Sequence, residues 1–245
     1  MSALHARLSA ALLTVLAIFA PCRAAADPAT DPSVALCSDL GGTWDVAAST
    51  CTMTGTNAKK VTVDSNAQYP ADLIADPTAG PTLREFVRTF FDNFGHPRDD
   101  QVQNGDAKLT YEAFRHGANI RSVLFTNFWY LGGAHSNDDI TTFTFDLAAK
   151  KQLALSDLFC ATDPKPVLDP LVRKHVRSIF DTAGSQSVPD YSRYTDGYQA
   201  WVLDGDDLVI HMPAGRTGPV HAGMFVAQIP LSELRPQLRD GGCAA

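Results

Sequence analysis

Apolar residues recur at intervals of three and four in two segments of the chain, the spacing of one face of an α-helix. The first stripe follows Pro81, which suits a helix start, and contains Leu83, Phe86, Val87, Phe90, Phe91 and Phe94. The second stripe ends before Gly184 and contains Val167, Leu168, Leu171, Val172, Val176, Ile179 and Phe180. We therefore predict two amphipathic helices, each of which needs a sheet to cover its apolar face.

Segments rich in β-branched and aromatic residues, or with alternating polarity, predict the strands of that sheet. They cover residues 59–64, 108–114, 120–130, 141–147, 198–203, 208–212 and 224–229. A turn at Gly132-Gly133 predicts one antiparallel hairpin, and Asp204-Gly205-Asp206-Asp207 predicts a second. A short helix is predicted over residues 230–238. The predicted fold class is α+β, with a mixed, mainly antiparallel sheet packed by two amphipathic helices.

The N-terminus has the three parts of a secretory signal peptide. His5 and Arg7 supply a basic start, residues 8–20 are almost wholly apolar, and the small residues before Asp27 suit a cleavage site. The apolar run is too short to span a bilayer core of roughly 30 Å. We predict a signal peptide over residues 1–26, cleaved near Ala26, and a secreted or periplasmic protein without a membrane span in its mature form.

The mature chain divides into segments of different composition. Residues 27–36 are predicted to be an Ala/Asp/Pro linker, and residues 240–245 a C-terminal tail. Between them, residues 37–119 and 120–239 are expected to form one compact unit, which we expect to be a monomer.

Charge and cysteine content narrow the class of protein. Removal of residues 1–26 takes away two of the 20 basic residues and none of the 27 acidic residues, so the net charge changes from -7 to -9. This balance argues against a nucleic-acid partner. The four remaining cysteines predict two disulfides, with three pairings open in principle. The short separation of Cys37 and Cys51 favours their pairing, which leaves Cys160 to pair with Cys243 and hold the tail.

Sequence motifs for common enzyme classes are absent. The chain has no Gly-x-Ser-x-Gly, phosphate loop, His-Glu-x-x-His or dinucleotide fingerprint, so no cofactor and no bound metal are predicted. The most suggestive segment contains Gly132, Gly133, His135, Asp138 and Asp139. It has three interpretations: a hairpin tip, a binding loop, or a centre in which His135 and the carboxylates bind a metal or serve as general base.

A second candidate loop covers residues 213–220 and is rich in proline and glycine. It contains Arg216 and is flanked by His211 and His221. These two histidines and His135 would form a three-histidine metal site if the fold brought them together. The alternative is a loop of fixed, irregular shape that joins two adjacent strands.

Several short motifs, in this order and spacing, resemble the C-terminal domain of RsiV-type anti-sigma factors. They are Tyr130-Leu131-Gly132-Gly133-Ala134-His135, Thr144-Phe145-Asp146-Leu147, Leu155-Ser156-Asp157-Leu158-Phe159, Asp207-Leu208-Val209-Ile210, Gly218-Pro219-Val220-His221-Ala222-Gly223 and Ile229-Pro230-Leu231-Ser232-Glu233-Leu234. The chain is also similar to the secreted mycobacterial immunogenic antigens that carry this domain. The resemblance implies a mixed α/β domain outside the membrane, often without established enzymatic activity, and binding of lysozyme in the RsiV branch.

These observations predict an exported, non-enzymatic binding protein of the cell envelope. Its partner would be lysozyme or a peptidoglycan-derived ligand, held by the two candidate loops. The alternative hypothesis is an envelope-acting hydrolase or metal-dependent enzyme centred on His135.

Overall fold

The computed structural model describes residues 31–178, 197–215 and 223–243, and it has the predicted α+β fold. The predicted signal peptide and the start of the predicted linker lie outside the described residues. The helices are α1 (Pro32–Asp39), α2 (Ala71–Ala75), α3 (Gly80–Phe94), α4 (Leu155–Leu158), α5 (Lys165–His175) and α6 (Leu231–Leu234). Two short 3-10 helices follow α6, at Arg235–Gln237 and Arg239–Gly241.

The strands form two sheets. The first has seven strands in chain order: β1 (Thr43–Asp45), β2 (Thr50–Thr56), β3 (Thr62–Ala67), β4 (Gly105–His116), β5 (Ile120–Tyr130), β6 (Asn137–Asp146) and β7 (Lys151–Gln152). The second has the order β8-β11-β10-β9, from β8 (Val176–Ser178), β9 (Trp201–Asp204), β10 (Asp207–Met212) and β11 (Phe225–Pro230). All neighbouring strands are antiparallel except β3 and β4, which are parallel.

Helix α3 covers one face of the first sheet, as its apolar stripe predicts. The ring of Phe86 lies 4.8 Å from that of Phe125 on β5 and 5.2 Å from that of Phe143 on β6. Phe94 packs in the same way on Trp129, with 5.4 Å between ring centroids. The predicted hairpin is confirmed by the register of β5 and β6, in which Val123 pairs with Phe143.

Helix α5 covers the second sheet through Leu168 and Val172, but it is shorter than predicted. The helix ends at His175, and β8 begins at the next residue and pairs with β11. Residues 179–183, which the apolar stripe assigned to the helix, lie outside the described part of the chain. Pairing with a strand fifty residues further along decided the end of the helix, which local periodicity cannot show.

The predicted linker is wrong over residues 32–36, which form most of helix α1. The side chain of Asp31 caps this helix by accepting a hydrogen bond from the backbone N–H of Ser33 at 2.8 Å. Leu36 and Cys37 then pack into the first core. Similarly, the strand predicted over residues 59–64 begins only at Thr62. The residues before it form a turn, in which the backbone N–H of Lys60 donates to the carbonyl oxygen of Asn57 at 2.9 Å.

Both predicted disulfides are confirmed. Cys37–Cys51 is buried in the first core, and Cys160–Cys243 joins the C-terminal tail to the end of α4. The backbone of Gly42 lies against the first disulfide, since a Cβ atom built on this glycine would be 2.6 Å from Sγ of Cys51. A larger residue at this position would collide with the disulfide.

Strand β9 crosses the other face of the first sheet and joins the two sheets. As an edge strand it has unpaired backbone N–H groups, which need partners when buried. Trp201 N–H donates to Oγ1 of Thr142 on β6 at 2.9 Å, and Leu203 N–H donates to Oγ of Ser122 on β5 at 3.1 Å. Gly205, just beyond the strand, donates to the Arg115 carbonyl on β4 at 2.8 Å. The N–H groups of residues 201, 203 and 205 thus find their acceptors on three successive strands of the first sheet, β6, β5 and β4.

The Ser122 contact predicts a measurable loss of stability in Ser122→Ala. Ser122 is fully buried, and its hydroxyl also shares a 3.0 Å hydrogen bond with the hydroxyl of Thr144. The variant leaves the Leu203 N–H buried without a partner, so the free energy of unfolding should fall by about 1–3 kcal/mol. Urea unfolding of the wild-type protein and the variant measures this difference in the free energy of unfolding. In the control Thr54→Val, which removes an exposed hydroxyl bonded to Asp64, the change should stay within about 0.5 kcal/mol. Equal effects of the two variants would contradict the role assigned to Ser122.

Candidate functional site

A surface cleft of about 380 Å³ lies where the end of β4, the β9–β10 turn and the C-terminal segment meet. We call it the His116 cleft. It is lined by His116, Asp206, Asp207, Pro230, Leu231, Ser232, Arg235, Leu238, Asp240 and Gly241. An imidazole, a hydroxyl, three carboxylates and a guanidinium therefore share one depression, the mixture of groups from which acid–base and nucleophilic sites are built.

His116 is held in one orientation by the β9–β10 turn. Its Nδ1 lies 2.5 Å from the carbonyl oxygen of Gly205, whose positive φ of 54° shapes the turn. Because a carbonyl oxygen can only accept, Nδ1 carries the proton and donates it in this hydrogen bond. In the neutral ring Nε2 is then unprotonated and able to accept a proton. This is the tautomer that a general base requires.

Ser232 is exposed and lies on the short helix α6, which neighbouring contacts hold in place. At its start, the backbone N–H of Leu231 donates to the Asp206 carbonyl at 2.8 Å. On the far side, the Glu233 carboxylate contacts Nζ of Lys174 at 2.8 Å and Nε2 of His175 at 3.2 Å. These two hydrogen bonds lower the pKa of Glu233, and the one from Lys174 has the larger effect.

The C-terminal segment forms one wall of the cleft, and the second disulfide anchors it. Cys160 N–H donates to the Gln237 carbonyl at 2.8 Å, and Arg239 Nε donates to the Phe159 carbonyl at 2.7 Å. Phe159 and Leu238 also form an isolated antiparallel bridge. These contacts and the Cys160–Cys243 bond hold Leu238 and Asp240 against the cleft.

The glycine loop predicted as a site joins β5 to β6 at the edge of the molecule. Gly132 and Gly133 both have positive φ, 93° and 121°. His135 is exposed, and its Nδ1 lies 2.9 Å from the carbonyl oxygen of the adjacent Ser136. Asp138 and Asp139 are neighbours on β6, so their side chains point to opposite faces of the sheet. The loop is a hairpin tip, and within the described part of the chain no hydrogen bond or ion pair joins His135 to the two carboxylates.

Arg216 and His221 of the second predicted loop lie outside the described residues. His211 is buried on β10, on the face turned toward the first sheet, and burial lowers the pKa of its imidazole to about 4. Among residues 31–178, 197–215 and 223–243, no three His, Cys, Asp or Glu side chains lie together as a metal site would require. The three-histidine site stays a prediction.

The sequence does not predict His116, Ser232 and Asp240 as members of one site. His116 and its partner Gly205 are 89 residues apart in the chain, and Ser232 lies a further 27 along. Each residue by itself is an ordinary feature of a hairpin end or a short helix. One feature of the sequence did point to this region. The Asp204–Asp207 turn contains three aspartates, more carboxylates than a hairpin turn requires.

Comparison with known proteins identifies one informative relative. No family model matches the chain. A protein of Mycobacterium tuberculosis named Esterase Rv3036c is 27% identical over 209 residues, which cover 82% of this chain and 87% of that protein. The prediction of a non-enzymatic binding protein is therefore wrong, because a relative that matches most of the chain is named an esterase and points to a hydrolase.

Two solved structures of the DUF3298 family, a domain family of unknown function, are similar to this one. The protein from Bacteroides fragilis has a TM-score of 0.50 and 14% identity, over 77% of this chain and 91% of that one. The protein from Pseudomonas aeruginosa has a TM-score of 0.49 and 13% identity, over 78% and 94%. The first likeness shows the fold alone, and the RsiV-type assignment and the antigen similarity stay predictions.

The structure also bears on location. The two disulfides fit an extracytoplasmic protein. Within the described residues, no helix is long and apolar enough to cross a membrane.

The anchoring of the tail predicts a local effect of breaking the second disulfide. In Cys160→Ser/Cys243→Ser, the backbone amides of residues 237–241 should exchange with deuterium faster than in the wild-type protein, because the bond no longer limits opening of this wall. Mass spectrometry measures the exchange by peptide. Amides of β10, which pair with β9 and β11, serve as the control and should be unchanged. Equal protection of residues 237–241 in the two proteins would contradict the anchoring role.

Proposed function

We propose that this protein is a carboxyl-ester hydrolase that acts in the His116 cleft. The observation that carries the proposal is the esterase relative, which matches 82% of the chain. The cleft supports it because an exposed serine and a histidine in the proton-accepting tautomer line the same depression. Ester hydrolysis by a serine requires these two groups.

In the proposed mechanism Ser232 is the nucleophile and His116 the general base. Nε2 of His116 takes the hydroxyl proton as Oγ of Ser232 bonds to the ester carbonyl carbon. The carbon–oxygen bond to the alcohol then breaks, and His116 returns the proton to the leaving oxygen. Water, deprotonated by the same nitrogen, attacks the acyl-serine and releases the carboxylic acid, with the proton returned to Ser232.

Neighbouring groups would assist both steps. The Gly205 carbonyl takes the place that a carboxylate has in a Ser-His-Asp triad, since it orients the ring through Nδ1. Carboxylates of Asp206 and Asp240 in the same cleft favour the transient imidazolium. The guanidinium of Arg235 lines the cleft too, and it can donate hydrogen bonds to the oxyanion.

His116 is a better centre for a hydrolase than His135 on the geometry described. His135 bonds the backbone of its own neighbour on an exposed loop, and the cavity beside that loop is lined by Gly132 and Gly133 without it. His116 instead bonds a carbonyl from a distant segment and opens into a cleft with other functional groups. A serine also adjoins His135, so Ser136 and His135 form a matched control pair.

The test measures hydrolysis of p-nitrophenyl butyrate by the purified, oxidised protein. Ser232→Ala should lower kcat/KM by about 10³-fold or more, and His116→Gln by about 10²–10⁴-fold. His135→Gln and Ser136→Ala should stay within about twofold. A fluorophosphonate probe should label Ser232 in the wild-type protein and fail to label Ser232→Ala. Full activity of Ser232→Ala and His116→Gln, with loss in the control pair, would move the site to the glycine loop.

We also propose that the enzyme is secreted or periplasmic after cleavage near Ala26. The N-terminal pattern supports this, and so do the disulfides. When the full chain is expressed in a bacterium, mass spectrometry should find a mature N-terminus near Asp27. Leu13→Arg, which interrupts the apolar run, should leave the chain unprocessed in the cytoplasm. Thr30→Arg, beyond the cleavage site, should be processed normally; an exported chain that keeps Met1 would refute the signal peptide.

A further inference from the structure

A second cavity adjoins the His116 cleft and has a different chemical character. Its volume is about 220 Å³, and it shares His116, Leu231, Leu238 and Asp240 with the cleft. Its apolar lining consists of Ile120, Leu153, Leu158, Leu203, Leu231 and Leu238. We propose that this cavity, which we call the acyl pocket, binds the aliphatic acyl chain of the ester, an inference that rests on the proposed function.

Two carboxylates that line the acyl pocket, Asp146 and Asp157, are already engaged in hydrogen bonds. Asp146 accepts from the backbone N–H groups of Ala148 and Ala149, at 3.0 and 2.9 Å. Asp157 accepts from Nζ of Lys151 at 2.7 Å and from Ala154 N–H at 2.8 Å. The hydrogen bond from Lys151 is the main reason that the pKa of Asp157 is lowered. These carboxylates therefore keep fixed positions around the apolar lining.

The lining has the properties of a site for hydrocarbon. Leu203 and Leu238 are buried, whereas Ile120, Leu153, Leu158 and Leu231 are only partly buried and pack against the second core. Their remaining apolar surface is in contact with water. A ligand that covers this surface is stabilised by each methylene group that it transfers from water.

The position of His116 connects the two cavities in the order that an ester requires. His116 lines both cavities, and Ser232 lines the His116 cleft, so an ester carbonyl bound in the cleft can extend its acyl chain into the acyl pocket. The alcohol group then occupies the cleft, near the carboxylates of Asp206 and Asp207. This arrangement favours esters of linear aliphatic acids with an uncharged alcohol and disfavours esters with an anionic alcohol group.

The first experiment measures kcat/KM for p-nitrophenyl esters from acetate to decanoate. Each added methylene should raise kcat/KM about fourfold, the equivalent of about 0.8 kcal/mol, until the pocket is full. Leu158→Trp, which fills the pocket, should lower kcat/KM for octanoate at least tenfold and change that for acetate less than twofold. The matched control is Leu131→Trp, in a cavity of the same 220 Å³ beside Gly132 and Gly133, and it should leave the series unchanged.

A binding measurement tests the acyl pocket independently of the proposed ester hydrolysis. Calorimetric titration with octanamide, a neutral probe, needs no catalysis, and binding should be lost in Leu158→Trp and kept in Leu131→Trp. Ester hydrolysis without chain-length dependence, together with no octanamide binding, would overturn the acyl pocket and leave the proposed function intact. If no ester is hydrolysed, the proposed function fails, and binding of octanamide alone decides whether the pocket takes an aliphatic chain. Leu153→Trp repeats the test if Leu158→Trp does not fold.

Discussion

The edge of strand β9 is the constraint on which the arrangement of the two sheets depends. An edge strand laid across another sheet buries N–H groups that have no strand to pair with, and each one without a partner costs about 1–3 kcal/mol. Hydroxyls of Thr142 and Ser122 and the carbonyl of Arg115 accept these hydrogen bonds at intervals of two residues. Because the three acceptors lie on β6, β5 and β4, they set the direction in which β9 crosses the first sheet.

The candidate site is a consequence of this crossing. The last hydrogen bond of the series, from Gly205 to Arg115, brings the β9–β10 turn against the end of β4. The Gly205 carbonyl can then accept from His116, and the same turn receives the start of α6 through Asp206. The site is completed by the C-terminal segment, which the Cys160–Cys243 bond attaches to the end of α4. Three distant parts of the chain meet because one strand needs its N–H groups satisfied.

The periodicity of apolar residues correctly predicted the helices and strands whose buried face is set by their own sequence. The stripe of Phe86 and Phe90 predicted α3, and the alternation of Phe143 and Phe145 predicted both β6 and its buried face. The errors lie where a distant partner decided the outcome. Val176 continues an apolar helical stripe yet pairs in a strand with Ala227, and residues 32–36 look like a linker yet form a capped helix on the core. In the same way, the glycine loop with His135 had the more suggestive composition, while His116 has the more structured surroundings.

The sequence by itself determined the α+β class and the two hairpins, because these depend on periodicity and turn residues. The number of cysteines predicted two disulfides, and the short separation of Cys37 and Cys51 favoured the pairing that the structure shows. It also indicated an extracytoplasmic protein, through its cysteines and N-terminal pattern. Only the tertiary structure decided where functional groups gather. A histidine, a serine and a set of leucines carry no shared local signal, and their chemistry depends on distances that the chain acquires when β9 crosses the first sheet. The proton on Nδ1 of His116 is the clearest case, since a backbone carbonyl 89 residues away determines it.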